Sequence, residues 1–194
     1  VQHQTAKKAE IQLQGDIREW MNRAGTDINS APVPDWTLGN EALSVAPAKV
    51  SVAAGTSQKV TLQVPVGKDV LKYWTPEHPN LYALLLSVKN QKQAVDTKYE
   101  RFGWREWTLQ GTTQCLNGEP YALHGDSWHF MGIPQMTRRY AWAWFTAIKG
   151  MNANAVRPHA QVYPRFYLDM ADEMGICVLN ETANWASDGG PKLD

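Results

Sequence analysis

The chain has 194 residues, and its 19 basic side chains balance 19 acidic ones, so its formal net charge is zero. A neutral chain lacks the long-range field that draws phosphate backbones or anionic lipids, and it has no apolar run of about 18 residues that would span a membrane. We therefore expect neither nucleic acid nor a membrane as a partner.

The first 40 residues give little indication of secondary structure, whereas the segment that follows alternates apolar and polar residues with a period of two. Residues 11–20 fit either a strand or a short helix, while residues 27–36, rich in Pro, Asn and Ser, predict a loop. In residues 49–63, valine and leucine alternate with polar residues on both sides of a Gly-Thr-Ser break. This pattern predicts a strand, a turn and a second strand.

The next segments also predict β-structure. Residues 81–88 form a nearly continuous apolar run, typical of a buried strand, and residues 98–109 alternate again, with Gly103 as a candidate bulge. No amphipathic helix lies between these strands. Residues from about 40 to 111 therefore predict a small antiparallel β-sandwich.

After Gly111 the apolar period becomes helical. A first helix is predicted after a capping Thr137 and ends at Gly150, with an apolar stripe of Ala141, Trp144, Phe145 and Ile148. A second opens at Pro164 and ends at Gly175, with a stripe of Tyr167, Met170, Ala171 and Met174.

Three short apolar runs surround these helices, at residues 121–123, 153–156 and 176–179. Strands that alternate with helices form parallel sheets, so these runs predict three parallel strands. Two helices cannot cover both faces and both edges of such a sheet. We therefore expect this half to be an unfinished domain, with the chain stopping in mid-fold.

Polar residues follow each predicted parallel strand, where the ligand sites of parallel sheets lie. Alternation along a strand places Arg157 and His159 on one face, where they can donate hydrogen bonds to a hydroxyl-rich or anionic ligand or hold a carboxylate. His124 and Asp126 likewise share a face. The strand-end candidates are His124, Asp126, His129, Arg157, His159, Asn180, Glu181 and Trp185.

Each candidate also has a structural interpretation. Arg157 can form an ion pair with Glu181 on the next strand, and Trp185 can pack in a core as readily as it can stack on a sugar. The histidines and carboxylates match no compact metal-site spacing. Three helix carboxylates are expected to face solvent, and Asn117-Gly118 predicts a hairpin turn. The three are Asp169, Asp172 and Glu173. The two cysteines, Cys115 and Cys177, predict buried thiols rather than a disulfide.

Four segments resemble, in order and spacing, the signature segments of glycoside hydrolase family 2. They are YWTPEHPNLYALLLSV (73–88), RFGWREW (101–107), LNGEPYALHG (116–125) and NAVRPHAQVYPRFYLDMADEMGICVLNE (154–181). The resemblance implies a multidomain protein of β plus α/β class. Residues 1–111 would be an immunoglobulin-like β-sandwich, and residues 112–194 the first strands and helices of an incomplete (β/α)8 barrel.

The resemblance also implies a function. Members of the family are retaining, exo-acting β-glycosidases with two catalytic glutamates after the fourth and seventh barrel strands, so both would lie outside this chain. The intact protein would be a glycoside hydrolase, and residues 1–194 alone would be inactive. β-Galactosidase is the favoured activity because it is common in the family. The alternative is a noncatalytic carbohydrate-binding or structural module.

The resemblance carries over to particular residues. Arg157 matches the family's Val-Arg at the second strand end and His129 a histidine beyond the first, both on the active-site wall. His159 stands one position before the family histidine, and Asn180 replaces the usual Asp. The expected substrate-binding set is Arg157, His129, His159, Asp126, Glu181 and Trp185. We expect a glycoside or saccharide substrate and the rest of the polypeptide as partners, with no cofactor and no metal.

Overall fold

Internal contacts divide the chain into two structural units. The computed structural model describes residues 7–23, 35–90, 93–129 and 132–182. The first unit draws on Val1–Met21, Thr37–Lys72 and Asn80–Trp104, and the second on Asn22–Trp36, Tyr73–Pro79 and Arg105–Asp194. Each unit has its own sheets, so each is described by itself.

The first unit is built on one four-stranded sheet with the strand order β2-β1-β3-β4. The strands β1 to β4 are Ala9–Arg23, Asp35–Val52, Leu81–Asn90 and Gln93–Gly103. Strand β3 pairs antiparallel with both β1 and β4, and the only register shift of the second pairing lies between Val88 and Lys89. The strand predicted at residues 81–88 is confirmed, and residues 11–20 form a strand rather than a helix.

An irregular segment packs on this sheet where a second strand was predicted. Strand β2 ends at Val52 and a turn follows, but residues 58–66 form no strand. Val60 and Leu62 still pack against a core that includes Ile11 and Val52. Every second side chain of this segment is turned toward the sheet, although its backbone makes no strand hydrogen bonds. This alternate burial explains the period of two in the sequence. The prediction of a second strand at residues 60–63 is wrong, and the described part of this unit has one sheet.

The second unit begins with a small antiparallel sheet of strands β5, β6 and β7. They span Trp107–Gln110, Thr113–Leu116 and Glu119–Pro120. Asn117 and Gly118 both have positive φ, 55° and 86°, as the predicted hairpin turn requires. The single strand predicted over residues 98–109 is instead divided, because β4 ends at Gly103 and β5 begins at Trp107. The expected bulge at Gly103 is therefore a strand end.

A parallel sheet and two helices complete the second unit. Strands β8, β9 and β10 span Gly125–Trp128, Ala155–Pro158 and Cys177–Val178, and β9 pairs in parallel with both of the others. Helix α1 spans Arg138–Gly150 and α2 spans Arg165–Met174. Neither helix in the described residues has the length and apolarity needed to cross a bilayer.

The helix boundaries are close to those predicted. The Thr137 side chain accepts a hydrogen bond from the Tyr140 backbone N–H, at 3.1 Å, and so caps α1. Gly175 ends α2 in the left-handed conformation. The predicted stripes lie on the buried faces, although Trp142 is more deeply buried in α1 than Trp144.

The first and second parallel strands lie further along the chain than predicted. Residues 121–123 form no strand, and β8 begins at Gly125. Strand β8 is polar in sequence, and only Trp128 at its end is buried, so it offers almost no apolar pattern. The prediction for the first strand is wrong for this reason, and that for the second is early by two residues.

Two predictions about individual side chains have different outcomes. Glu173 was expected in solvent, but its side chain is 3% exposed and lies 3.7 Å from Arg138 Nη2. A buried carboxylate needs such a partner because burial removes its hydration. Both cysteines are buried free thiols, as predicted.

The end of α2 provides a test of backbone packing. A Cβ at Gly175, where φ is 72°, would lie 2.2 Å from the carbonyl oxygen of Pro76. We expect Gly175→Ala to lower the free energy of unfolding by about 2–4 kcal/mol, because it combines a strained φ with a backbone clash. Urea unfolding followed by circular dichroism measures the loss.

Gly111 is the matched control for this substitution. Its φ is 63° and nothing lies within 4 Å of a Cβ built there. Gly111→Ala should therefore cost only the left-handed backbone strain, about 1 kcal/mol. Equal losses for the two variants would contradict the importance of the Pro76 contact.

Candidate functional site

The polar cluster of the second unit forms where the parallel strands end. Arg157 lies in β9, His159 directly follows that strand, His129 directly follows β8, and Glu181 lies three residues after β10. Parallel strands bring their carboxyl ends to one edge of the sheet, which is why these four residues meet. We call Arg157, His159, His129 and Glu181 the strand-end cluster.

Glu181 makes two hydrogen bonds within this cluster. Its Oε1 accepts from Arg157 Nε in an ion pair, and its Oε2 accepts from the backbone N–H of Ala160 at 2.6 Å. The pKa of Glu181 lies below its ordinary value, first because of the Ala160 N–H and second because of Arg157. The predicted Arg157–Glu181 salt bridge is confirmed, and the carboxylate is ionised at neutral pH.

The two histidines complete the cluster. Arg157 Nη2 lies 3.4 Å from His159 Nδ1, so the two side chains predicted to share a face are neighbours. The His159 ring lies against that of His129, with centroids 4.4 Å apart. The backbone N–H of His159 donates to the Trp128 carbonyl at 2.9 Å, which ties the end of β9 to the end of β8.

Side-chain alternation separates Asp126 from this cluster. In the β8–β9 register Ser127 pairs with Arg157, while Asp126 shares the face of Trp128, which packs against the helices. The Asp126 carboxylate accepts a hydrogen bond from the Ser127 N–H at 2.7 Å. Asp126 is therefore near the cluster in sequence but on the other face of the sheet.

The remaining candidates lie elsewhere. His124 precedes β8, at the opposite end of the strand from His129, and its N–H donates to Asn154 Oδ1 at 2.8 Å. Asn180 is exposed beside a separate cleft, described below. Trp185 lies outside the described residues. Of the predicted substrate-binding residues, the structure thus brings together Arg157, His159, His129 and Glu181.

The Ala160 N–H is a member of the site that sequence reasoning missed. A backbone donor leaves no residue-type signal, and Ala160 has φ of 48°, in the left-handed region that alanine disfavours. This conformation places the turn after β9 so that its N–H reaches Glu181. Only the three-dimensional path of the chain identifies this group.

A second polar cluster was also missed. A cleft of about 530 Å³ is lined in part by Trp74, Arg105 and Asp172. Arg105 Nη2 bonds Asp172 Oδ1 at 2.8 Å, and the guanidinium lies 4.2 Å from the Trp74 ring centroid. These residues are far apart in sequence, so no spacing connects them. Their charges are paired with each other rather than directed at a ligand.

Nucleophilic and metal chemistry find little support in the described residues. Cys177 lines the same cleft, but burial raises its pKa to about 11, so it remains a protonated and unreactive thiol. No group of three or more His, Cys, Asp or Glu residues in the described ranges is arranged to hold a metal ion. The strand-end cluster is instead a set of hydrogen-bond donors around one ion-paired carboxylate, suited to binding hydroxyls or a second carboxylate.

The lowered pKa of Glu181 gives a pH test. A carboxyl group whose pKa is lower in the folded state adds stability above its unfolded pKa and loses it as pH falls through the folded pKa. Wild type should therefore be more stable than Glu181→Gln above about pH 5, and the difference should shrink at lower pH. Urea unfolding of both proteins from pH 7 to pH 3 measures this. A difference that does not change with pH would contradict the assignment.

Comparisons with known proteins place the chain in a family. The family model described as Glycosyl hydrolases family 2 matches residues 1–105 of the 194. A Formosa agariphila protein, whose name as a beta-glucuronidase is provisional, is 34% identical over 115 residues, 57% of this chain and 11% of its own length. The beta-galactosidase of Priestia megaterium is 25% identical over 178 residues, 89% of this chain and 17% of its own length.

The solved structure of Bacteroides uniformis beta-glucuronidase matches with a TM-score of 0.69 at 23% identity, over 94% of this chain and 20% of that one. At this identity the likeness shows a shared fold alone. The chain spans less than a fifth of the length of either curated relative. Since the family model covers more than half of the residues, the chain belongs to glycosyl hydrolase family 2.

Proposed function

We propose that the protein carrying this chain is a retaining, exo-acting β-glycosidase that releases terminal β-linked sugars. The observation that carries the proposal is the family match over residues 1–105. The strand-end cluster supports it, because hydrogen-bond donors at the carboxyl ends of parallel strands suit a substrate rich in hydroxyl groups.

We propose the family's domain plan for this chain, with its boundary at Gly111, a few residues after the last segment of the first unit ends at Trp104. Residues 1–111 form the immunoglobulin-like domain, and residues 112–194 begin a (β/α)8 barrel with β8, β9 and β10 as its first three strands. The parallel pairing of these strands and the helices between them support the second assignment. The antiparallel sheet of β1 to β4 supports the first.

Retaining hydrolysis requires two carboxyl groups about 5–5.5 Å apart. One carboxylate attacks the anomeric carbon and forms a glycosyl ester, while the other, as an acid, protonates the departing oxygen. Water, deprotonated by the second group, then cleaves the ester and regenerates both. We assign neither role to a residue of this chain and place both glutamates outside residues 1–194.

In this proposal Arg157, His159 and His129 form part of the active-site wall. The Arg157 side chain is 44% exposed beside its ion pair, so it can donate to a sugar hydroxyl or to a catalytic carboxylate. Because Asp126 lies on the other face of the sheet, we leave it out of the proposed wall, and its contact with substrate stays a prediction. Contact between Trp185 and substrate stays a prediction.

The sugar is proposed from the relatives. Those compared include a β-galactosidase and a β-glucuronidase, and we favour a β-galactoside because β-galactosidase is a common activity in the family. In this wall the positive charge of Arg157 is paired with the negative charge of Glu181. Such a wall suits a neutral sugar and does not require a uronic acid.

The test is an assay of the full-length parent protein and of residues 1–194 on nitrophenyl β-D-galactoside, glucuronide and mannoside. We expect the parent protein to hydrolyse at least one substrate with a β-anomer as first product by NMR, and residues 1–194 to hydrolyse none. In the parent, Arg157→Ala should lower kcat/KM by about 10²-fold. Asp126→Asn, on the other face, is the control and should change it little.

Two outcomes would contradict the proposal. A parent protein that releases no β-linked sugar would favour the noncatalytic module instead. Turnover by monomeric residues 1–194 that disappears in Glu181→Gln would overturn the placement of both glutamates outside this chain. We expect residues 1–194 alone to self-associate, because unpaired strand edges recruit other strands, and light scattering measures this.

A further inference from the structure

Glu181 is committed to protein partners on both of its oxygens. Oε1 accepts from the Arg157 side chain, and Oε2 accepts from the Ala160 backbone N–H. These two donors lie on either side of the end of β9, three positions apart in the chain. The carboxylate therefore holds together a strand residue and the turn that follows it.

The Ala160 turn needs such a partner. Its φ of 48° places the Cβ in a conformation that only glycine adopts without strain. Opposing bonds fix the turn, since the His159 N–H donates to Trp128 and the Ala160 N–H donates to Glu181. Loss of the Glu181 bond would leave the strained turn held from one side only.

The same carboxylate sets the orientation of Arg157. Donation from Nε fixes the plane of the guanidinium, and in that plane Nη2 lies 3.4 Å from His159 Nδ1. His159 in turn lies against His129. The contacts thus connect Glu181, Arg157 and both histidines.

We infer that Glu181 is a positioning residue, which orients Arg157 and holds the Ala160 turn so that Arg157 and His159 face the substrate. The part of this inference that concerns the substrate rests on the proposed function, whereas the part that concerns the orientation of Arg157 and the Ala160 turn does not. It differs from the sequence prediction, in which Glu181 itself binds substrate. It also differs from an ordinary ion pair such as Arg105–Asp172, which engages no strained turn.

The geometry is tested without any activity measurement. In the full-length protein, Glu181→Gln should speed hydrogen exchange of the Ala160 amide by at least about tenfold, because glutamine has one acceptor oxygen where glutamate has two, so its NH2 group would oppose one of the two donors. Asp172→Asn is the matched control. It removes a carboxylate of similar exposure, 31% against 30%, from another arginine pair of the same unit, and should leave the Ala160 exchange unchanged.

The catalytic part is tested by a double-mutant cycle on the substrate that the parent protein hydrolyses. Glu181→Gln should lower kcat/KM by about 10–100-fold, the usual cost of losing a partner that orients a site residue. In an Arg157→Ala background the same substitution should cost clearly less than in wild type, because the part of its effect that acts through Arg157 is already lost and only the part that acts through the Ala160 turn remains. Asp172→Asn should leave kcat/KM near wild type.

Each outcome decides the inference. Equal losses in both backgrounds would show that Glu181 does not act through Arg157, and unchanged Ala160 exchange in Glu181→Gln would show that it does not hold the turn; either result overturns the inference. If the parent protein hydrolyses no β-glycoside, the proposed function fails and exchange alone decides. If Glu181→Gln does not fold, Glu181→Asp keeps the charge but shortens the reach, and the same measurements apply.

Discussion

The packing of Trp128 is the interaction on which the rest of the second unit depends. Its ring lies within 6.0 Å, centroid to centroid, of four aromatic rings, those of Tyr140, Trp144, Tyr163 and Tyr167. Because side chains alternate along a strand, burying Trp128 among the helices determines which residues of β8 face the other way. It also fixes the carbonyl that receives the His159 N–H. The position of the strand-end cluster therefore follows from a hydrophobic contact on the opposite face of the sheet.

The Glu181 carboxylate fixes the side chains of the strand-end cluster once packing has placed the strands. The cluster holds one carboxylate whose two oxygens are bonded to a guanidinium and a backbone amide, so its charge is balanced and its hydrogen-bonding capacity is used. A half-exposed ion pair of this kind contributes little to stability. Its importance lies in geometry, because it converts a flexible arginine and a strained alanine into a defined arrangement.

The sequence predicted the helices better than the strands, for identifiable reasons. Thr137 and Gly175 are local signals, one a capping hydroxyl and the other a residue free to adopt positive φ, and both helix ends lie where they indicated. Strand β8 has one buried residue among four, so apolar pattern could not locate it, and the prediction chose residues 121–123 instead. At residues 60–63 an extended segment packed on a sheet has the pattern of a strand without its hydrogen bonds.

The sequence predicted the ion pair of the candidate site, but not which face of the sheet each side chain occupies. Arg157 and Glu181 pair because adjacent parallel strands lie about 4.8 Å apart and both follow apolar runs. Asp126 lies on the face of β8 opposite that cluster. The sequence could not predict this, because β8 has one buried residue among four and its position could not be read from the apolar pattern. The role of the Ala160 N–H could not be predicted, because every residue except proline carries a backbone N–H.

Cys115 gives the second unit a built-in reporter. Cys115 is 0% exposed and Cys177 8% exposed, both are free, and burial keeps the Cys177 thiol protonated. Cys177 lines the cleft, but Cys115 has no exposed surface, so a thiol reagent can modify Cys115 only when the surrounding structure opens, and the rate of its modification measures the free energy of that opening. The burial that shields Cys115 therefore also lets the opening of this unit be followed at a residue of the natural sequence, with no engineered cysteine.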